Sequence, residues 1–294
     1  MAHQIMPVTA FPVVQPTPAR LVGALRRLSP APMVLPRLQR LLADPNAGLF
    51  QVVELVRLDS ALTARVVQVS NSAWFGRGSG CGTIEEAVNR VGFHEVHRLV
   101  ATAAASAVVV QSLSAYGLDD KAMWRESVAC AFAAEMLAAR VGEDTAEAYT
   151  IGLLHAVGRV AINNHALGAG RTARLADASF PLEQSADEYS WLGFTQADAG
   201  ACMLQNWEFG PTMVEPVRAQ YQPLQALAPH DRMAAVVYGA RLLRTIVCQG
   251  GAENTVRADG AVLAKLRLSE TELLGMLPDL HEQLAKAKQM TDLR

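Results

Sequence analysis

Apolar positions recur three and four residues apart along almost the whole chain, the spacing of helices that bury one face. Phe50, Val53, Leu55 and Val56 mark one segment. Leu62, Val66, Val67 and Val69 mark the next, with Asp59 or Ser60 as its N-cap. Thr83-Ile84-Glu85-Glu86 has the form of a capping box opening a helix with Ala87, Val88 and Val91, which Gly92 ends. Two long helices are predicted at about 95–113 and 119–140, and another runs unbroken from 145 through His155 to 163. Further helices fall at 181–192, 196–207, 211–220 and 231–248. After Gly250-Gly251 comes a last pair, with a second capping box at Ser269-Glu270-Thr271-Glu272. No alternating run suits a strand, so the fold class is all-α.

The amino-terminal end breaks this pattern. Pro7, Pro12, Pro16 and Pro18 block regular helix and predict a mobile leader over residues 1–20. A short helix at 21–28 follows. Ser29-Pro30-Ala31-Pro32 interrupts it, and Leu35-Pro36-Arg37-Leu38 restarts helix with proline in the first turn, where its missing N–H is harmless.

Composition adds exclusions. With 294 residues, 51% hydrophobic, the chain can bury a large core. A net charge of -2, from 26 basic and 28 acidic residues, gives no broad footprint for nucleic acid or an anionic membrane. The longest apolar stretch, 99–110, falls short of the ~18 residues a membrane-spanning helix needs. Met1-Ala2-His3-Gln4 carries no secretory pattern, so a cytoplasmic location is expected. Cys81, Cys130, Cys202 and Cys248 are too scattered for a zinc cluster and read as reduced thiols.

Several motifs occur in order. They are Leu35-Pro36 with Leu38 and Leu41-Leu42, then Leu58-Asp59-Ser60-Ala61-Leu62-Thr63, then Val69-Ser70-Asn71-Ser72-Ala73-Trp74-Phe75-Gly76, then Thr83-Ile84-Glu85-Glu86-Ala87-Val88. Trp124-Arg125-Glu126-Ser127, Gly152-Leu153-Leu154-His155 with Gly158, and Leu192-Gly193-Phe194 with Gly200 complete the series. Together they resemble the HDOD family over about 34–222, departing from it at Ser60, where the family usually has proline.

The resemblance implies a multi-helix bundle related to the HD phosphohydrolases, usually without their metal site and associated with bacterial signalling. It divides the chain into an N-terminal helical subdomain at 21–115, a degenerate HD-like subdomain at 116–225 and helices at 226–294 that complete the bundle. No receiver or diguanylate-type module is visible.

A catalytic relative would supply histidines and aspartates where this chain has Glu126, His155-Ala156, Gln196, Gln220-Tyr221 and Gly239. These seven residues form the candidate degenerate pocket. A hydrolytic site needs about three to six nitrogen or oxygen donors and an open position for water, so no metal, cofactor or catalytic residue is expected. His155 is expected to be a core histidine with its ring hydrogen-bonded internally.

Other constellations are weaker. His94-Glu95-Val96-His97 lacks HExxH spacing and a third ligand. Gly76-Arg77-Gly78-Ser79-Gly80-Cys81-Gly82 resembles a phosphate loop only in glycine content. No nucleophile elbow occurs. Beside the glycines, Asn71, Ser72, Trp74, Phe75 and Gly76 form a candidate interaction surface, although the aromatic pair also suits a plug between helices. Arg90, His94, His97 and Arg98 add a modest basic edge.

The expected function is non-enzymatic signalling through binding of protein partners. The alternatives are a sensor that binds a nucleotide or other small-molecule ligand in the vacated pocket, and a residual metal-dependent phosphohydrolase using Glu126 and Asp198 as substitute ligands.

Overall fold

A computed structural model of the chain describes residues 16–25, 34–42, 44, 47–58, 60–71, 80–91, 93–171, 175, 182–249 and 257–291. Among these residues it contains sixteen α-helices and, in place of strands, one isolated bridge between Leu113 and Leu118. The fold is all-α. No described helix is long and apolar enough to cross a membrane.

Helix α1 (Pro18–Leu25) begins inside the segment expected to be a leader. Pro18 starts the helix because it stands in the first turn, and the Arg20 and Leu21 amides bond back to Thr17. Leu21, Val22 and Leu25 are buried. Residues 1–15, and the interrupting Ser29-Pro30-Ala31-Pro32, lie outside the described residues.

Helices α2 (Val34–Leu42), α3 (Leu49–Arg57), α4 (Ser60–Ser70), α5 (Ile84–Val91) and α6 (Phe93–Val109) pack on one another through Leu35, Leu38, Val56, Val66, Val88 and Val100. Thr83 Oγ1 accepts from the Glu86 amide at 3.2 Å. The Glu86 carboxylate reaches one residue further back than a capping box predicts, to the Gly82 amide at 2.7 Å. The chain ends α6 four residues earlier than expected and forms a 3₁₀ turn at Ser114–Tyr116.

The second half is built on α7 (Asp120–Val141) and α8 (Thr145–Leu154). Asp119 caps α7, Gly142 closes it in the left-handed region at φ 77°, and Asp144 caps α8. The predicted single helix over 145–163 is two: α8 ends at Leu154, and α9 (Gly158–Gly168) starts after a turn at His155-Ala156-Val157. His155 Nδ1 lies 2.7 Å from the Gly152 carbonyl, the group a continuing helix would offer to the Ala156 amide. The turn then tightens into three-residue bonds, Val157 N to Leu154 O and Arg159 N to Ala156 O, each 3.0 Å.

Then follow α10 (Leu182–Leu192), α11 (Gln196–Asn206), α12 (Pro211–Arg218) and α13 (Asp231–Gln249), which lies along α7. The expected last pair is three helices, α14 (Gly260–Leu266), α15 (Glu270–Leu274) and α16 (Leu277–Thr291), and Ser269 forms its capping box with Glu272. Helix α1 packs on α9 and α11.

Two glycines fix the spacing of this half. A Cβ on Gly152 would lie 2.5 Å from Ala131 Cα and 2.7 Å from the Cys130 carbonyl oxygen. One on Gly158 would lie 1.9 Å from the Gln196 carbonyl oxygen and 2.5 Å from the Gly200 amide nitrogen. Backbone thus meets backbone at both ends of the turn that holds His155. Replacing Gly158 by Ala should destabilise the protein by at least about 3 kcal/mol, because the obstacles are main-chain atoms that cannot rotate away. Urea unfolding of the variant checks this; a loss under about 1 kcal/mol would mean that α9 and α11 are not in main-chain contact.

Candidate functional site

The middle of this half buries an unusual amount of charge. Arg159, Arg241 and Arg244 are each 2% exposed, and Glu126 and Glu188 are 4% and 1% exposed. Isolated charges would not survive there, since burial strips their hydration, so each needs partners.

The partners form a closed circuit. Glu126 Oε2 on α7 accepts from Arg159 Nη1 on α9 at 3.1 Å and from Arg244 Nη1 on α13 at 2.6 Å. The Arg159 guanidinium lies 5.5 Å from the Tyr116 ring centroid, and the Tyr116 hydroxyl donates to Glu188 Oε1 on α10 at 2.8 Å. Glu188 Oε2 accepts from the Gln196 amide at 2.6 Å, and Gln196 Nε2 donates to the Tyr221 hydroxyl at 3.1 Å. The Arg241 guanidinium stacks on Tyr221 at 4.2 Å. Thr245 closes the ring, donating to the Arg241 carbonyl at 2.9 Å and accepting from Arg244 Nη2 at 3.1 Å.

Gln220 ties the turn to this circuit. Its Nε2 donates to the His155 and Val217 carbonyls, both at 2.8 Å, while its main-chain carbonyl accepts from Arg241 Nη1 at 3.0 Å.

These surroundings set the charge states. Burial works to raise the Glu126 carboxyl, but Arg244 and Arg159 outweigh it and hold the group below its usual range. Burial pushes Glu188 up to about 7 against opposing hydrogen bonds from Gln196 and Tyr116 and the pull of Arg159 and Arg241. Burial also lowers Arg241 to about 10. His155 is driven well below the usual histidine range by burial and then by Arg244 and Arg241. It is therefore neutral. Since Nδ1 faces a carbonyl, Nδ1 carries the proton and Nε2 presents a lone pair, which has no hydrogen-bond partner among the described residues.

Among the described residues, no three His, Cys, Asp or Glu side chains converge to hold a metal ion. Oxygen and nitrogen acceptors do remain, at His155 Nε2, Gln196 Oε1 and Gln220 Oε1. The obstacle is charge. A guanidinium ~6 Å from a dication costs about 5 kcal/mol at an effective dielectric of ~20, and three of them line this circuit. The residues present do not fit the divalent metal of an HD hydrolase.

Of the seven pocket residues, Glu126, Gln196 and Tyr221 lie in the circuit, and Gln220 and His155 are bonded to it. Ala156 is buried beside His155 and offers no donor. Gly239 is not brought to the circuit: it faces the other side of α13, where a Cβ would meet Leu137, Leu266 and Leu273. The proposed substitute ligand Asp198 is spent on the α11 capping box, bonded to the Thr195 amide at 2.9 Å and hydroxyl at 3.0 Å.

The arginines, Glu188 and Tyr116 were missed by motif reading. Arg159 did leave a signal as a lone charge within the apolar run 151–162, as did Arg241 and Arg244 three apart within α13.

At the second candidate surface, the Asn71 side chain clasps Cys81, donating to its carbonyl at 2.8 Å and accepting from its amide at 2.6 Å. It thereby ties the end of α4 to the residues before α5. Ser72, Trp74, Phe75 and Gly76 lie outside the described residues, as does the side chain of His94. Of the supposed basic edge, His97 is buried against Thr150, and Arg98 lies 4.7 Å over the Phe132 ring beside Glu95.

A family model for the HDOD domain matches residues 28–223. An uncharacterized protein of Treponema pallidum (strain Nichols) is 28% identical over 193 residues, which are 64% of this chain and 36% of that protein. The chain thus spans about a third of that relative's length. A solved structure from Marinobacter aquaeolei VT8, provisionally named a signal transduction protein, shares the fold at TM-score 0.72 and 24% identity, covering 92% of this chain and 61% of that one. Another from Shewanella amazonensis SB2B, provisionally named a phosphohydrolase, matches at TM-score 0.66 and 24% identity, covering 93% and 97%. At these identities the likeness is one of fold.

Glu126→Gln should cost about 3–5 kcal/mol, because it leaves two buried guanidiniums without their carboxylate. The sign with pH follows. Glu126 is held below its unfolded value, so its contribution is full above the ordinary carboxylate range and is lost as pH falls through its folded value. Chemical denaturation of wild type and variant at pH 7 and in acid should show the gap narrowing in acid, and a constant gap would refute the assignment.

Proposed function

Because the chain belongs to the HDOD family, we propose that it is a regulatory protein that acts by binding partners and does not hydrolyse phosphoesters. The carrying observation is Glu126, whose carboxylate bonds to Arg159 and Arg244. A side chain so engaged is a poor metal ligand, and the three guanidiniums supply the positive charge that a metal would bring. The signalling name of the Marinobacter relative supports this reading. The partners would be proteins of a bacterial signalling pathway in the cytoplasm, with the switch lying in how helices of the two halves meet. At that junction the Thr102 and Tyr149 hydroxyls lie 2.8 Å apart and Arg98 lies 3.6 Å from Glu135, so a shift of α6 on α7 and α8 would exchange these polar contacts.

A second reading, a nucleotide or metabolite sensor, draws on the buried acceptors at His155, Gln196 and Gln220 that have no hydrogen-bond partner among the described residues. A thermal-shift screen separates the two. A ligand at 100 times its Kd adds roughly 2.7 kcal/mol, whereas a protein-only binder responds to no nucleotide.

The purified protein should carry no stoichiometric divalent ion by elemental analysis. It should also show no turnover of phosphodiesters or phosphomonoesters with added manganese or magnesium. Stoichiometric metal with turnover that His155→Ala abolishes would overturn the proposal.

A further inference from the structure

A surface helix is normally anchored by an apolar stripe at three- and four-residue spacing. Over 186–192 of α10 one member of that stripe is a carboxylate: Glu188 and Leu192 are buried and Trp191 packs, half-buried, against the core, while Ala186, Asp187, Tyr189 and Ser190 are exposed. The Arg171 guanidinium lies 4.4 Å and the His165 ring 5.5 Å from the Trp191 centroid. Gly193, at φ 78° with its amide bonded to the Tyr189 carbonyl, makes the turn into α11.

Glu188 also reaches the arginine circuit from its edge. Its two oxygens take the Tyr116 hydroxyl and the Gln196 amide, joining α10 to the 3₁₀ turn and to α11. We propose that α10 is a strap across the arginine circuit, latched by Glu188 and released when that carboxyl ionises. The device stands on this geometry and holds whether or not the chain hydrolyses anything.

The direction of release follows from what faces the latch. Tyr116 approaches from the 3₁₀ turn, Arg159 from α9, the Gln196 amide from α11, Tyr221 from the turn after α12 and Arg241 from α13. The two guanidiniums and two hydrogen bonds favour the charged carboxylate, while burial favours the neutral acid more strongly, so the docked group titrates at about 7. A released Glu188 regains water and titrates near ~4.3. The docked state therefore binds the proton more tightly. Docking is strongest below the ordinary carboxylate range and weakens as pH rises toward and through about 7. Release bares Tyr116 and the Arg159 side of the circuit.

Hydrogen exchange on the full chain, corrected for intrinsic rates, tests the latch. Between roughly pH 6 and pH 8.5, protection of 183–192 should fall by about ten-fold, while α7 and α13 keep theirs. Glu188→Gln should flatten that dependence. Tyr116→Phe, which removes a donor to the carboxylate, should move the midpoint to higher pH, and it keeps the test open if the Gln variant does not fold. Equal protection of α10 at both pH values, or a dependence that survives in Glu188→Gln, would overturn the proposal.

Discussion

Three arginines inside a helical core are the constraint to which the rest of this half answers. Desolvating each guanidinium costs several kcal/mol, and a carboxylate returns that only with close geometry and further hydrogen bonds. Glu126 meets the requirement for Arg159 and Arg244 at one oxygen atom. It therefore dictates where α7, α9 and α13 must stand. Such a network adds little net stability over an apolar core of the same volume, but it penalises every arrangement that separates its members.

The two glycines supply the complementary short-range condition. Main-chain contact of α8 with α7 and of α9 with α11 brings the turn at 155–157 deep enough for His155 to be fully buried and for Gln220 to reach its carbonyl. The Gly-Leu-Leu-His frame thus has a structural explanation independent of metal chemistry. Its glycine, with Gly158 beyond the turn, sets helix spacing, and its histidine ring takes a carbonyl where the helix breaks.

Charge distribution divides the circuit by role. Glu126, at its centre between two guanidiniums, stays ionised and fixes helices of the bundle. Glu188, at its edge and more burdened by burial, sits near its titration point and ties α10 to the 3₁₀ turn and α11. The same physical terms act on both carboxyls. Which one dominates depends on how near the guanidiniums lie.

Periodicity and caps are local properties, so the sequence itself determined the all-α class, most helix positions, the Ser269 capping box and the family. The family resemblance also implied a set of positions at which a catalytic relative would carry metal ligands, Glu126, His155 and Gln196 among them. The sequence could not separate α8 from α9, because a histidine ring competing for a carbonyl leaves no trace in apolar spacing. Nor could it assign Gly239 to the far side of α13, which depends on that helix's rotation against Leu137. The partnership of Glu126 with Arg159 and Arg244, residues 33 and 118 positions away, was decided only by tertiary structure. Long-range electrostatic pairing is a property of assembled helices, and no spacing along one helix encodes it.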